Sequence, residues 1–390
     1  MTEKQKNIPV YFVTNWDMVG YTATTMASIL CNTKHNVDFY VMDCGLSDFD
    51  RKQLSTLKER FSNFKSLSFA KANMTRFKGL STWYYGLLDA WAMLLFPEAF
   101  PNVHGKVIHV ESDTLVVDDI VKLYNEDMKG YAFAGCPDIA FSNNRKVFSN
   151  IKYKYFNLGM AIIDCDKWRE QNITTQALEL GKKYGKIFGC LHQDALNMLF
   201  DGNYCCLPSR YNLGERENYV KELHSDLSEE YFAEEWQHPV IIHFSPNKPW
   251  RSQNNTYSHR IAKYFNEWWY YAAMTPYIEG LRNCFISSKI SDGFKGFQTG
   301  MTDYGNNMLD TLANPIFSDL SNEKSFDYKM KYSILGLPIL KVLYSKNGSK
   351  IYKLFSILPF WQLRKDSKGN NIYKLFGVLP ILRIKQGKGK

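Results

Sequence analysis

The sequence predicts an α/β protein with a mostly parallel central sheet, followed by a basic repeat tail. Three observations predict it. From residue 8 to about 280, β-rich runs alternate with segments of helical spacing. Several of those runs stop at polar residues. No apolar run approaches the ~18–20 residues needed to span a bilayer, and 45% hydrophobic content over 390 residues is enough for a large core.

IPVYFVTNW (8–16) is a strand that breaks at Asn15, and YTATTMASIL (21–30) follows with helical composition. NVDFYVMDCGLS (36–47) repeats the event: the strand ends at Asp43, and DFDRKQLSTLKERF has helical spacing. SLSFAKA (66–72) is a third strand, and YYGLLDAWAMLLF (84–96) is a buried helix stopped by Pro97. VIHVESDTLVVDD (107–119) is a buried strand interrupted by Glu111, Ser112 and Asp113. Two acids one residue apart suit a divalent cation, which wants several oxygen ligands; a solvated strand terminus explains the pair equally well. Ligands of parallel sheets gather beyond the carboxyl ends of the strands. Asn15, Asp43 and the Glu111/Asp113 pair all fall at such ends, which favours a site.

Further on, YAFAGCPD (131–138) and FNLGMAIIDCDKWRE (156–170) read as strands, the second entering a helix capped near Asp164 or Asp166. LHQDALNMLF (191–200) is a helix, PVIIHFSPNKPW (239–250) a strand stopped by His243 and a Pro-bounded loop. RIAKYFNEWWYYAAM (260–274) is a helix that covers the core, with Trp268 and Trp269 inside it. Taken singly, His243 suits a strand end, Gln193-Asp194 a helix first turn, and Asn157 a turn before Gly159.

Charge divides the chain. Residues 331–390 hold thirteen Lys or Arg against one acid, Asp366, a net of +12 that leaves residues 1–330 at −3. This argues against a main domain that binds nucleic acid and for a mildly acidic globular body with a separate cationic segment. The tail repeats with a period of 21 residues, aligned on Pro338, Pro359 and Pro380, and each unit flanks apolar residues with Lys or Arg. A short element at a lipid interface fits this better than a long helix, and the Leu-Pro-aromatic cores favour lipid over nucleic acid as partner. Eight cysteines without a C-x-x-C spacing read as reduced thiols, and the N-terminus lacks the apolar stretch of a signal peptide. The expected location is the cytoplasm.

In this order, the blocks resemble the retaining glycosyltransferases of family 8, bacterial sugar transferases of lipopolysaccharide or capsule assembly. VIHVESDTLVVDDI resembles the family's Asp-x-Asp strand, FNLGMAIIDCDKW its Phe-Asn-x-Gly block and HQDALN its Asp-Gln-Asp-x-x-Asn block. IIHFSPNKPW resembles its His-Phe-x-Gly-x-Lys-Pro-Trp block, and FNEWWYYAAMTPYIE the helix that follows. The resemblance implies a GT-A-like, single nucleotide-sugar-binding domain. It makes Glu111, Asp113 and His243 the ligands of Mn2+ (or Mg2+), a carboxylate and imidazole set without thiolate. It places Asn15, Asp17, Glu111, Ser112, Asp138, Asn157 and Lys248 against a UDP-sugar donor, and Gln193 and Asp194 as the catalytic candidates.

This chain departs from the family's pattern at several positions. Glu111 and Asn15 stand where the family has Asp, Met93 where it has a donor-contacting Arg, His192 where it has the first acid of its helix block, and Pro246 where it has Gly. These departures leave a degenerate fold that binds nucleotide or glycan without catalysis as the alternative to a hexosyltransferase. The expected organisation is a catalytic domain over 1–280, a linker over 281–330 and a membrane-associating tail over 331–390. The acceptor is then a glycan or lipid-linked glycan at the inner face of the cell membrane.

Overall fold

The computed structural model describes residues 7–82, 88–138, 155–214, 228–245, 248–251 and 259–288, and the tail strands between 328 and 384. The chain divides into two compact units, Met1–Asn283 and Cys284–Lys390.

In the first unit, β1 (Ile8–Thr14), α1 (Val19–Asn32), β2 (Val37–Asp43), α2 (Asp48–Ser55), α3 (Leu57–Arg60) and β3 (Phe64–Lys71) follow the expected alternation. The segment 84–96 does not. Residues 83–87 lie outside the described residues, Asp89–Leu95 form a 3₁₀ helix, and Pro97 sits in the first turn of α4 (Phe96–Ala99) instead of ending a helix. A proline is tolerated in a first turn because the N–H it lacks has no intrahelical partner there.

Next come β4 (Lys106–Val110), β5 (Thr114–Val116), α5 (Val121–Tyr124), β6 (Phe133–Pro137) and β7 (Phe156–Asp164). Asp164 accepts from Asp166 N and Lys167 N and so caps α6 (Cys165–Glu170). Then follow α7 (Ile173–Tyr184), α8 (Leu191–Phe200), β8 (Cys205–Cys206), α9 (Glu229–Glu235), β9 (Ile241–His243) and α10 (His259–Ala272). The strand expected from 239 ends at His243 as its sequence implied, and begins at Ile241. A further helical stretch covers 278–288.

The large sheet has the order β3-β2-β1-β4-β7-β6-β8. Its first four strands are mutually parallel; β7 runs antiparallel to both β4 and β6, and β8 is parallel to β6. Alternation along β1 sends Tyr11 to one core cluster and Val10 and Phe12 to the other, so both faces of the sheet are covered. A separate ribbon pairs β5 with β9, antiparallel, with Thr114 opposite His243.

In the second unit, β10 (Tyr328–Ile334), β11 (Leu337–Tyr344), β12 (Lys350–Leu354), β13 (Leu358–Lys365), β14 (Asn371–Leu375) and β15 (Leu379–Ile384) form one antiparallel sheet in sequence order. Each 21-residue repeat is a pair of strands. The register shifts where each proline meets its neighbour: Ser333 faces Pro338, Lys353 faces Pro359 and Lys374 faces Pro380. A proline cannot donate to the ladder, so a bulge there is expected.

The register pairs Met330 with Val342, Val342 with Tyr352, Tyr352 with Trp361 and Trp361 with Leu375, and pairs Lys331 with Lys341 and Lys341 with Lys353.

Candidate active site

The acid pair is held by α1. Thr25 Oγ1 donates to Thr114 O (2.8 Å), Val116 N to Ser28 Oγ (3.1 Å), and Asn32 Nδ2 to Val116 O (3.0 Å). Side chains of one helix thus serve the backbone groups of β5 that pairing with β9 leaves over, and this accounts for a Thr-rich helix buried over most of its length. Ser112 spends its hydroxyl on Thr22 Oγ1 (2.8 Å).

On the other edge, the β5–β9 ribbon carries His243 to the acids. His243 Nε2 lies 3.6 Å from Glu111 Oε2 and 3.5 Å from Asp113 Oδ1, and Lys248 Nζ pairs with Asp113 Oδ2. One ligand atom from each of Glu111, Asp113 and His243 lies within 4.8 Å of the others. Burial and then the charge of Asp113 push the Glu111 carboxyl above the usual carboxylate range. Burial acts the same way on Asp113, but Lys248 and His243 outweigh it and hold that carboxyl well below the range. Asp113 thus keeps its charge beside Lys248 and His243, while Glu111 holds its proton more readily than an ordinary carboxyl. The donor set suits a hard or borderline divalent ion.

The aromatic residues near Lys248 are more than core. Trp250 stacks on Tyr21 (4.3 Å) and lies 4.8 Å from Trp268, while Trp269 Nε1 donates to Pro249 O (3.1 Å). They anchor the segment that carries Lys248. Pro246 lies outside the described residues.

Beside His243 lies a small cleft, lined among others by Asp138, Asn157, Asn212 and Ser245. Asp138 Oδ2 accepts from Asn157 Nδ2 (3.1 Å), and Gln193 Nε2 lies 3.5 Å from the same oxygen. Gln193 Oε1 accepts from Leu158 N (2.9 Å). Asp194 is fully buried and committed: it accepts from Tyr155 Oη, Gly189 N (2.6 Å) and Cys190 N (2.8 Å). Of the two catalytic candidates, Gln193 is the one bonded to a residue that lines the cleft.

Asn15 Oδ1 accepts from Asp17 N and Met18 N (both 3.0 Å), and its Nδ2 donates to Asp89 Oδ2 (2.6 Å). Asp17 itself is exposed. Met93 is 1% exposed in the core, so the residue of that segment that reaches the end of β1 is Asp89. Asp43 closes its own turn, accepting from Gly45 N, Leu46 N and Arg51.

Sequence reasoning therefore missed Asp89, Asn212 and Tyr155. No periodicity or spacing marks them, because each matters through a partner distant in sequence.

Residues 9–254 match Glycosyl transferase family 8. The chain belongs to that family. A putative glycosyltransferase of Haemophilus influenzae is 26% identical over 197 residues, 49% of this chain and 59% of that protein. The lipopolysaccharide 1,2-glucosyltransferase of Escherichia coli is 23% identical over 245 residues, 60% of this chain and 69% of that protein. The chain spans less than two thirds of the first curated relatives it matches, 59% and 57% of their lengths. Among solved structures, the galactosyltransferase LgtC, in complex with donor and acceptor sugar analogs, superposes with a TM-score of 0.58 at 21% identity, over 69% of this chain and 96% of that one. The family 8 chain thus has the GT-A-like fold its sequence implied. Its acids, histidine and lysine meet at one end of that fold.

Proposed function

We propose that this family 8 glycosyltransferase transfers a hexose, glucose or galactose, from a UDP-sugar to a lipopolysaccharide, capsule or other lipid-linked glycan, with retention of configuration. The observation that carries the reading is the convergence of Glu111, Asp113 and His243 with Lys248 beside them. A bound Mn2+ (or Mg2+) supplies Lewis-acid stabilisation of the departing diphosphate. Lys248 adds a point charge, moving from Asp113 to a phosphate as the donor enters. Asp138, Asn157 and Gln193 form a hydrogen-bonded set at the cleft beside this centre, suited to the hydroxyls of the donor sugar.

With Asp194 buried and spent on three donors, a covalent route through its carboxylate is disfavoured. Same-face attack, or participation of Gln193, fits better. The named activities of two relatives, a glucosyltransferase and a galactosyltransferase, are in keeping with a glucose or galactose donor. No helix among the described residues is long and apolar enough to cross a membrane. The net +12 of residues 331–390 supports attachment of the tail to an anionic membrane surface.

Calorimetry with UDP-glucose and UDP-galactose, with Mn2+ or with chelator, tests the reading. Affinity should require the cation and fall at least about tenfold in Asp113→Ala. Undiminished affinity in chelator and in the variant would falsify the metal assignment.

A further inference from the structure

Asn212 follows a 3₁₀ turn (Ser209–Tyr211), is 7% exposed, and has no role in the site so far. Its orientation is fixed by neighbours. Gly159 N donates to Asn157 Oδ1 (2.8 Å), which makes that atom the amide oxygen; the Asn212 atom 2.9 Å from it must then be the Nδ2 donor. The carbonyl Oδ1 of Asn212 points the other way, buried and without a hydrogen-bond partner. A buried acceptor left unpaired costs about 1–3 kcal/mol, so its retention calls for a reason.

Gly159 supplies one. An ideal Cβ built on it would lie 2.3 Å from His243 Nδ1 and 2.7 Å from Asn212 Oδ1. Those two atoms therefore face the same small space, which only a glycine leaves open. On the far side of the ring, His243 Nε2 faces Glu111 and Asp113. Neutral imidazole has one nitrogen to donate and one to accept, and a histidine that ligates through one nitrogen characteristically gives its other N–H to an oxygen nearby.

We propose that Asn212 is a positioning residue for the metal ligand His243: its Oδ1 accepts a hydrogen bond from Nδ1–H, keeping Nε2 unprotonated and turned toward a divalent cation. This rests on the metal-dependent reading above. It goes further in assigning a residue, a tautomer and a reason for Gly159.

The test uses the full chain without donor. Mn2+ is titrated into wild type, Asn212→Leu and Asn212→Ala, with thermal unfolding in chelator as the folding control. The expected result is wild-type binding that weakens about ten- to hundredfold in both variants. In the Mg2+-loaded wild type, ¹⁵N–¹H correlation of the imidazoles should find His243 protonated at Nδ1, a readout that does not depend on the variants folding. Equal Mn2+ affinity in wild type and variants, or an unprotonated Nδ1, overturns the proposal and leaves the metal site standing. Absence of Mn2+ and Mg2+ binding to wild type overturns both.

Discussion

At the scale of single residues, space and charge around the site are tightly used. Gly159→Ala would drive a methyl group against His243 Nδ1 and Asn212 Oδ1, so that the imidazole or the amide must shift. Mn2+ affinity should fall by about tenfold or more while far-UV circular dichroism is unchanged, since alanine is otherwise acceptable in β7. His192 offers a pH test. Burial lowers it from 6.5 to about 4, so the unfolded chain binds its proton first as acid is added. Stability from this residue is therefore complete above about pH 6.5 and is lost as pH falls toward 4, about 2 kcal/mol by pH 5. Denaturant unfolding of wild type and His192→Gln at pH 7 and pH 5 should differ in pH dependence by that amount.

At the scale of elements, the decisive one is α1, a helix whose hydroxyls serve a neighbouring loop. Thr25→Val keeps the shape but removes the donor to Thr114 O, leaving a buried carbonyl unsatisfied. A loss of about 1–3 kcal/mol in denaturant unfolding is expected. Donor affinity should fall with it, because Thr114 adjoins Asp113 and faces His243 in the ribbon. A stability loss with unchanged affinity would show that the acid loop is held by other contacts. The 3₁₀ segment at Asp89–Leu95 illustrates the opposite relation, in which burial of Trp91, Met93 and Leu94 sets the local structure and helical spacing does not.

At the scale of the whole molecule, the two units divide the work proposed for them. Residues 331–390, most of the second unit, carry a net +12. Each cation near an anionic leaflet contributes about 1 kcal/mol before screening, and the Debye length of about 8 Å at physiological salt limits its reach. Full-length protein should pellet with anionic liposomes and be released progressively by salt. A chain truncated after about residue 325 should stay in solution while keeping its nucleotide-sugar affinity. Equal pelleting of the truncated chain would refute the assignment, as would a tail that retained RNA and ignored liposomes.

The sequence by itself determined the alternation of β1 to β3 with their helices, the caps near Asp164, the acid pair, and the blocks that carry the family resemblance. These are local: periodicity, turn chemistry and short spacing are written within a dozen residues. It also determined that the tail repeats and is basic. It did not determine that the repeats pair into one sheet, because strand pairing depends on partners up to a repeat away. Nor did it place Asn15 on Asp89 or Asn212 beside His243, contacts between residues 74 and 31 positions apart. Only the tertiary structure decided those, since a side chain's protonation, orientation and freedom to bind are set by whichever groups folding brings within a few ångströms of it.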